Sequence, residues 1–291
     1  MQKVWFITGA SRGLGRSLTK TVLASGAKVA ATARDIKALV GLTDEYPETL
    51  FPIPLDVTDY SRIDSVIQHV IEKFGRIDVL VNNAGFGITG AAEAYSDDQV
   101  RSQLETNLNA PIAITRAVLP VMRKQGSGRI LQVSSIGGRV GNAGVTIYQA
   151  AKFGLSGFSE ALAKEVNSLG IKVTAVEPGG FRTDWAGDSM TYAPQIDGYD
   201  IVKEREEFFR SGDFVPMGDP EKAAKVILEL SEHQNPPIHL VLGSEAVSML
   251  KHVDAVRAEE LEKWLPVSIS TDHDDAVNFF ESELGKSYLT K

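Results

Sequence analysis

Residues 3–15 read KVWFITGASRGLG, an apolar run followed at once by a turn with three closely spaced glycines. The run at 3–8 predicts a buried β-strand, and the residues from Gly13 onward predict a helix. Backbone N–H groups at such a turn face bound phosphates, and glycines let the backbone approach them closely. The spacing G-x-x-x-G-x-G differs from the G-x-G-x-x-G dinucleotide fingerprint. A tight turn needed only for packing therefore stays open as the alternative.

Similar apolar runs recur along the chain and alternate with helical stretches. The predicted strands are 3–8, 27–33, 50–55, 77–82, 128–134, 171–177 and 238–242. The predicted helices are 13–25, 59–74, 96–125, 147–169, 200–210 and 219–233. Near-continuous apolar strands are typical of a parallel sheet that is buried on both faces. We therefore predict an α/β fold, a doubly wound (Rossmann-type) parallel seven-stranded sheet with helices on both faces.

Two segments depart from this alternation. Residues 184–216 form a long connection rich in aromatic residues, which favours a substrate lid loop. Residues 244–291 follow the last strand and predict two helices, 245–264 and 272–285. The predicted organisation is a Rossmann-type dinucleotide-binding and catalytic domain at 1–243, followed by a helical C-terminal extension.

Composition argues against several classes of protein. The net charge of −8 disfavours a nucleic-acid partner, because phosphates need a basic surface. With no cysteine the chain has no disulfide and no thiolate site, which suits a reducing compartment. The first apolar run is too short for a signal peptide or a membrane span. The five histidines lack metal-ligand spacing. We expect a cytoplasmic protein without a metal or a membrane partner.

Tyr148 and Lys152 start the predicted helix at 147–169. Residues four apart lie on one helix face, so the phenol and the ammonium can reach the same cleft. A nearby cation favours tyrosinate and should lower the phenol pKa from about 10 toward neutrality, which makes tyrosine a usable general acid and base. Tyr199 and Lys203 repeat the spacing. Only Tyr148, however, closely follows a predicted strand, and ligands bind beyond the carboxyl ends of strands in such sheets.

Two further strand ends are candidates for the cofactor site. Asp56-Val57 ends the third strand, where a carboxylate could accept from an adenine amine or could cap the next helix. Asn82-Asn83-Ala84-Gly85 ends the fourth strand, where amides could brace the sheet edge and the glycine could let a cofactor pass. A plain turn is the alternative there, because turns also favour Asn and Gly.

With these motifs the chain resembles the short-chain dehydrogenase/reductase family over residues 3–243. The matching segments, which keep the family's order and spacing, are TGASRGLG at 8–15, NNAG at 82–85, Asn107, Ser135, YQAAK at 148–152 and PGGFRT at 178–183. The resemblance implies an oxidoreductase that moves a hydride between a nicotinamide cofactor and a carbonyl or alcohol carbon of a small molecule. It also implies a homodimer or homotetramer, paired through the helices at 96–125 and 147–169.

The resemblance further implies a role for each of four catalytic residues. Tyr148 protonates the substrate oxygen during reduction, and Ser135 hydrogen-bonds that oxygen. Lys152 binds the nicotinamide ribose and lowers the pKa of Tyr148. Asn107 supports a water-linked proton path to Lys152. Ser134 lacks the family spacing and is interpreted as structural.

The choice of cofactor depends on the end of the second strand. NAD enzymes usually place a carboxylate there, but in VAATARD the family position is Ala33 and Arg34 follows. Together with Arg12, Arg34 would pair with a 2′-phosphate, which favours NADP(H) over NAD(H). Asp35 leaves NAD(H) open, since a shift of one residue would put a carboxylate near the ribose. The predicted cofactor-binding residues are Gly9, Ser11, Arg12, Gly13, Leu14, Gly15, Arg34, Asp56, Val57, Asn83, Ala84, Gly85, Tyr148, Lys152, Pro178, Gly179 and Thr183.

Substrate identity is assigned to the lid and to the glycine turns beside it. The large apolar and aromatic residues of the lid favour an apolar substrate. They are Trp185, Met190, Tyr192, Tyr199, Phe208, Phe209 and Phe214. An apolar lid that packs on the nicotinamide is the alternative. Two other functions share parts of the pattern. A non-catalytic NADP(H) sensor or scaffold would keep the fold, and a sugar-nucleotide epimerase would need a larger C-terminal domain than residues 244–291 offer.

Overall fold

The computed structural model describes residues 2–183, 189–211 and 215–289. The chain forms two compact units, Met1–Val247 and Ser248–Lys291. The first unit contains the nine strands found among the described residues. In chain order they are β1 (Val4–Ile7), β2 (Lys28–Ala33), β3 (Leu50–Pro54), β4 (Val79–Asn82), β5 (Gly87–Thr89), β6 (Gly128–Val133), β7 (Ile171–Pro178), β8 (Met190–Tyr192) and β9 (His239–Leu242).

Seven of these strands form one parallel sheet in the order β3-β2-β1-β4-β6-β7-β9. The chain winds outward in opposite directions from β1 and β4, so the crevice between their carboxyl ends is the place where doubly wound sheets bind ligands. The predicted seven-stranded doubly wound sheet is confirmed. The strands β5 and β8 pair in a second, two-stranded parallel sheet that the sequence did not predict.

Ten α-helices are described. They are α1 (Gly13–Ala24), α2 (Val40–Glu45), α3 (Ile63–Phe74), α4 (Asp97–Leu104), α5 (Ala110–Gln125), α6 (Thr146–Val166), α7 (Asp200–Arg210), α8 (Pro220–Glu232), α9 (Ser244–Ile269) and α10 (Glu283–Leu289). The predicted helix at 96–125 is α4 and α5 joined by a π-helical turn at Glu105–Asn109. The short helix α2 was not predicted. No described helix is both long and apolar enough to cross a membrane.

The predicted helix at 272–285 is wrong. Within this stretch the chain forms only a 3₁₀ turn at Phe279–Glu281 and then the first residues of the short α10, which begins at Glu283. Local side-chain bonds explain the difference, since Asn278 Oδ1 accepts from the N–H of Phe280 at 3.0 Å. Ser, Asn and Asp side chains of this kind compete with helical hydrogen bonding.

The sheet is packed on both faces, as β1 illustrates. Trp5 and Ile7 belong to a core that includes residues of α1 and α8, while Val4 and Phe6 belong to a core that includes residues of α3, α5 and α6. Neighbouring residues of a strand point to opposite faces. Burying each large apolar side chain contributes about 1.5–3 kcal/mol. The two cores therefore fix the sheet whose carboxyl edge carries the candidate site.

Candidate active site

The glycine-rich turn connects β1 to α1 beside the crevice of the sheet. Gly9 and Gly13 have φ of 66° and 52°, a region that residues with a Cβ rarely adopt. A Cβ on Gly15 would collide with the Gly9 carbonyl and the Asn83 amide. Within the described part of the chain no side-chain bond caps the start of α1, so N–H groups of its first turn can face an anion. The turn therefore fits the pyrophosphate of a dinucleotide.

Asn83 holds this turn in place. Its Nδ2 donates to the carbonyls of Thr8 and Gly9, each at 3.0 Å, and its backbone N–H donates to the Thr8 hydroxyl at 3.0 Å. Asn82 is buried instead, and its Nδ2 donates to Gln132 Oε1 at 3.0 Å. Asn82 thus connects the neighbouring strands β4 and β6, whereas Asn83 holds the glycine-rich turn in shape.

Tyr148 and Lys152 are both buried near the start of α6, at 8% and 5% exposure. Lys152 Nζ donates to the carbonyl of Val133 at 2.8 Å and lies 5.8 Å from the centre of the Tyr148 ring. Tyr199 and Lys203, which repeat the spacing, lie at the start of α7, and Tyr199 is 37% exposed. Burial therefore separates the two tyrosine–lysine pairs.

The predicted lowering of the Tyr148 pKa is wrong for the protein alone. Burial raises the pKa of Tyr148 to about 12, and the hydrogen bond with Ser135 lowers it by less. Burial also lowers the pKa of Lys152 to about 8. The free-energy cost of removing the phenolate from water is larger than the stabilisation that the phenolate gains from the neighbouring hydrogen bond. At neutral pH the Tyr148 phenol is protonated and can donate.

Ser135 follows β6 and opens a short 3₁₀ turn. Its Oγ accepts from the N–H of Gly137 at 3.0 Å, and it hydrogen-bonds Tyr148. The adjacent Ser134 has different neighbours, because its Oγ donates to the Lys152 carbonyl at 3.1 Å. The structure thus brings Ser135 and Tyr148 together and gives Ser134 a bond to the backbone of α6.

Asn107 lies fully buried in the π-helical turn. Its Oδ1 accepts from the N–H of Phe86 at 3.1 Å, and its Nδ2 donates to the Phe86 carbonyl at 2.7 Å. A Cβ on Gly85 would lie 3.0 Å from Asn107 Oδ1 and 3.8 Å from Lys152 Nζ. Asn107, Gly85 and Lys152 therefore meet at one point, and π turns often mark functional sites.

A sequence signal for this turn exists at Pro111, which sequence reasoning missed. Proline has no backbone N–H. The carbonyl of Asn107, four residues earlier, therefore lacks the donor that an α-helix would supply.

The turn after β7 is held by Glu245, a second residue that sequence reasoning missed. Gly179 follows Pro178 and donates its N–H to the Leu242 carbonyl at 2.8 Å. Glu245 Oε1 accepts from the N–H of Gly180 at 2.9 Å, while its buried Oε2 has no hydrogen-bond partner among the residues that the structure describes. A Cβ on Gly179 would meet the Glu245 carboxylate. The signal was the Gly-Ser-Glu at 243–245, which follows β9 directly.

Two predicted cofactor residues from distant segments meet at the glycine turn. A Cβ on Gly13 would lie 3.4 Å from the Cβ of Thr183. Arg12, at the start of α1, is exposed, and Ser11 is half-buried. Of the other predicted residues, Leu14 packs on the core that includes α1. Val57 belongs to the core on the other face of the sheet, and Ala84 packs against that core.

The end of β2 presents Arg34 at the surface. The pKa of Asp56 is lowered chiefly by hydrogen bonds from Thr58, at 2.7 Å from its hydroxyl and 3.0 Å from its N–H, and then by the charge of Arg34. Asp35 Oδ1 accepts from the N–H of Lys37 at 2.9 Å and so begins a 3₁₀ turn. That hydrogen bond uses one oxygen of the carboxylate that had left NAD(H) open.

The described part of the predicted lid begins at residue 189. Met190 is buried, and its Sδ accepts from the Thr89 hydroxyl at 3.1 Å. The guanidinium of Arg210 lies 3.8 Å from the centre of the Tyr192 ring. Phe208 is exposed. Two other aromatic residues of the predicted lid, Trp185 and Phe214, lie outside the described residues.

Comparison with known proteins points to one family. The family described as short chain dehydrogenase matches residues 3–192. Oxidoreductase BOA17 of Botryotinia fuckeliana is 42% identical over 273 residues, which cover 93% of this chain and 100% of that protein. The 3-ketodihydrosphingosine reductase of Bacteroides thetaiotaomicron is 34% identical over 250 residues, covering 83% and 88% of the two chains.

Solved structures agree with this assignment. A short-chain dehydrogenase from Streptomyces avermitilis has a TM-score of 0.88 at 41% identity, covering 94% of this chain and 100% of that chain. ElxO with NADP bound has a TM-score of 0.72 at 26% identity, with 85% and 100% covered. A 3-ketoacyl-(acyl-carrier-protein) reductase from Brucella melitensis, complexed with NADH, shares the fold at a TM-score of 0.69 and 24% identity, with 82% and 96% covered.

Proposed function

Because the chain belongs to the short-chain dehydrogenase family, we propose that it is an NADP(H)-dependent oxidoreductase acting on a carbonyl or secondary alcohol of a small apolar substrate. The observation that carries this proposal is the buried Tyr148–Lys152 pair with Ser135 hydrogen-bonded to the phenol. A phenol that keeps its proton at neutral pH can donate it to a carbonyl oxygen that gains negative charge during reduction.

The residues at the sheet edge fit a nicotinamide dinucleotide. The turn at 9–15 would take the pyrophosphate on its backbone N–H groups, and Lys152 would donate to the hydroxyls of the nicotinamide ribose. The turn at Pro178-Gly179 and Thr183 would hold the carboxamide. When bound, the nicotinamide supplies or accepts the hydride. The two remaining tasks, orienting the substrate and moving the proton, belong to the protein.

Tyr148 and Ser135 perform these tasks in reduction. Ser135 Oγ donates to the substrate oxygen and orients it, and the Tyr148 phenol transfers its proton to the same oxygen as negative charge develops there. Tyr148 then needs a new proton. Lys152 can supply it because burial brings its pKa to about 8. Asn107, beside Gly85 and Lys152, supports the return path from water.

Arg12 and Arg34 support NADP(H) as the cofactor. Both are exposed next to the predicted ribose site, where guanidinium groups can pair with a 2′-phosphate through charge-assisted bonds. Asp35 is the carboxylate that could favour NAD(H), and its Oδ1 already accepts a hydrogen bond from the backbone N–H of Lys37. The neighbour with NADP bound is consistent with this choice.

A ketone is the substrate class that the relatives favour. A relative whose name states that it reduces 3-ketodihydrosphingosine covers most of this chain. The apolar residues of the lid support an apolar substrate, since pockets of this kind bind by excluding water.

The test is NADPH oxidation with a panel of carbonyl compounds. The panel holds an aryl ketone, an aliphatic ketone, a keto ester and a vicinal diketone, each with the wild type and with Tyr148→Phe. We expect the wild type to reduce at least one compound and the variant to be nearly inactive. Tight NADPH binding with no turnover in either direction would instead support the sensor or scaffold.

A further inference from the structure

A buried carboxylate, that of Glu177, lies near the end of β7. Glu177 has no solvent exposure. Its Oε1 accepts from Ser156 Oγ at 3.0 Å and lies 2.9 Å from His239 Nδ1, and its Oε2 lies 3.4 Å from an Nη of Arg139. These partners come from α6, β9 and the loop after β6. We call Arg139, Ser156, Glu177 and His239 the Glu177 cluster.

The Glu177 carboxylate is surrounded by groups that can pair with it. Burying a carboxylate is unfavourable unless it is paired and hydrogen-bonded. Arg139 supplies a cation, and the hydrogen bond to Glu177 raises the pKa of His239. Glu160 on α6 faces the other side of the imidazole, 3.5 Å from Nε2. Replacing the Glu177 charge would therefore leave Arg139 without its ion-pair partner.

The first connection runs from Glu177 to the catalytic helix. Ser156 gives its single proton to Glu177, so only Ser134 can donate in the 2.9 Å contact between Ser156 Oγ and Ser134 Oγ. Ser134 also has a single hydroxyl proton, which it shares between Ser156 Oγ and the Lys152 carbonyl, 3.1 Å away, in a three-centre hydrogen bond. Since Lys152 Nζ donates to Val133, Lys152 is tied to the end of β6 through both its backbone and its ammonium.

The second connection runs from Glu177 to the loop that carries Ser135. Gly138 donates its N–H to the Ser135 carbonyl at 2.8 Å, and Arg139 follows it. A Cβ on Gly138 would lie 2.7 Å from both Ser134 Oγ and Ser156 Oγ, so this loop packs directly on the serines of the first connection. Arg139 then reaches Glu177 itself.

We propose that Glu177 is a positioning residue, which holds the Ser135 loop and the Lys152 region of α6 in mutual register. Glu177 contacts neither Tyr148 nor Ser135 in the hydrogen bonds described above. It acts on Ser135 through Arg139 and on Lys152 through Ser156 and Ser134. Its effect on catalysis rests on the proposed function, whereas its effect on the order of the loop does not.

Amide hydrogen exchange tests the hold on the loop without any turnover. The full chain is measured with saturating NADPH, as wild type, Glu177→Gln and Glu160→Gln. In Glu177→Gln we expect the N–H groups of Gly138, Arg139 and Val140 to exchange about tenfold faster, while those of α3 keep their rates. Glu160→Gln, which changes the exposed side of His239, should leave the loop unchanged. Unchanged loop protection in Glu177→Gln would overturn the proposal.

If Glu177→Gln fails to fold, Arg139→Met replaces it, because Arg139 is only half-buried and its loss removes one of the two connections. It must loosen the same three amides. Wild-type exchange rates in Arg139→Met would then overturn the proposal.

Single-turnover hydride transfer tests the catalytic consequence, with NADPH and the fastest ketone of the panel. Glu177→Gln should slow transfer about tenfold in the wild type and by a clearly smaller factor when Ser135→Ala is already present, because the part of its effect that acts through Ser135 is then absent while the part that acts through Lys152 remains. Val70→Ala on α3, buried in a core away from the cluster, is the control and should slow both backgrounds equally. Equal factors for Glu177→Gln in both backgrounds would overturn the role in positioning Ser135. If no ketone is reduced, the proposed function fails and the exchange experiment still decides on the loop.

Discussion

The Nζ of Lys152 lies 5.8 Å from the centre of the Tyr148 ring, with both side chains buried on α6. The same burial that keeps the phenol protonated lowers the pKa of the ammonium to about 8. A donor that holds its proton thus stands beside a group that can release one near neutral pH. This difference suits carbonyl reduction, in which Tyr148 must give a proton and regain it.

Tyr148→Phe should abolish turnover and preserve cofactor binding. The change removes one hydroxyl and leaves the ring to pack as before, so the melting temperature should move little. Without the phenol the developing alkoxide lacks a positioned donor, and general acid catalysis contributes about 10²–10⁴-fold. Steady-state kcat and the NADPH dissociation constant are the two measurements.

Tyr199→Phe is the matched control because Tyr199 and Lys203 repeat the spacing. It should retain wild-type kcat within about twofold, since an exposed substitution away from a site has little effect. If Tyr199→Phe lost turnover and Tyr148→Phe kept it, the site would be assigned to the wrong tyrosine.

The rate of reduction should fall as pH rises above about 8, because Lys152 loses its proton there. Burial lowers the pKa of Lys152 below the ordinary lysine value, so its ammonium is present below a pH of about 8 and is lost above it. Tyr148, with a pKa of about 12, stays protonated throughout this range. Lys152→Arg keeps its charge at high pH and should remove the fall, whatever its absolute rate. A fall at the same pH in Lys152→Arg would assign it to another group.

Local patterns sufficed for the sheet and for locating the buried Tyr148–Lys152 pair. A parallel strand buried on both faces is a near-continuous apolar run, so β1 could be located from VWFI alone. The Tyr148–Lys152 pair could be found because residues four apart share a helix face. Neither inference needs to know what packs against the element.

Features that depend on distant neighbours could not be predicted. The pKa of Tyr148 was assigned the wrong direction because its spacing from Lys152 reveals the cation but not the burial that outweighs it. Glu245 was missed because its partner, the N–H of Gly180, is 65 residues away in the chain. The pairing of β5 with β8 is longer in range still, since 101 residues separate Thr89 from Met190, and it involves only three residues in each strand.

Gly15→Ala should weaken cofactor binding and stability together. The added Cβ would collide with the Gly9 carbonyl and the Asn83 amide, so the turn must open. We expect the free energy of unfolding to fall by about 1–3 kcal/mol, as overpacking typically does, and NADPH affinity to fall as well. Gly41→Ala in α2 is the control, since a Cβ there would meet no atom of the described residues within 4 Å. It should stabilise by at most about 1 kcal/mol, and a similar loss in both variants would contradict the argument.

The segment 184–216 should be protected from protease by NADPH together with a substrate analogue. Lid closure excludes water from a site and often limits turnover. Its described part is anchored where β8 pairs with β5, so cleavage should be confined to the residues that flank this pairing. Mass spectrometry of the fragments, with and without ligands, locates the cuts. Equal protection in every state would make the segment a fixed packing element.

Arg34→Asp should reverse the cofactor preference. The wild type should bind NADPH at least about 10²-fold more tightly than NADH, because two charge-assisted bonds contribute about 1.5–3 kcal/mol each. Aspartate at this position would repel the 2′-phosphate and could accept from a 2′-hydroxyl, so NADPH should weaken and NADH should gain. Dissociation constants for both cofactors, from the quenching of protein fluorescence, give the ratio. Lys20→Asp makes the same change in charge on the exposed side of α1 and should leave that ratio unaltered, which separates a specific contact from a change in the field of the whole protein. Equal affinities of the wild type for NADPH and NADH would refute the assignment of Arg34, whatever the variant does.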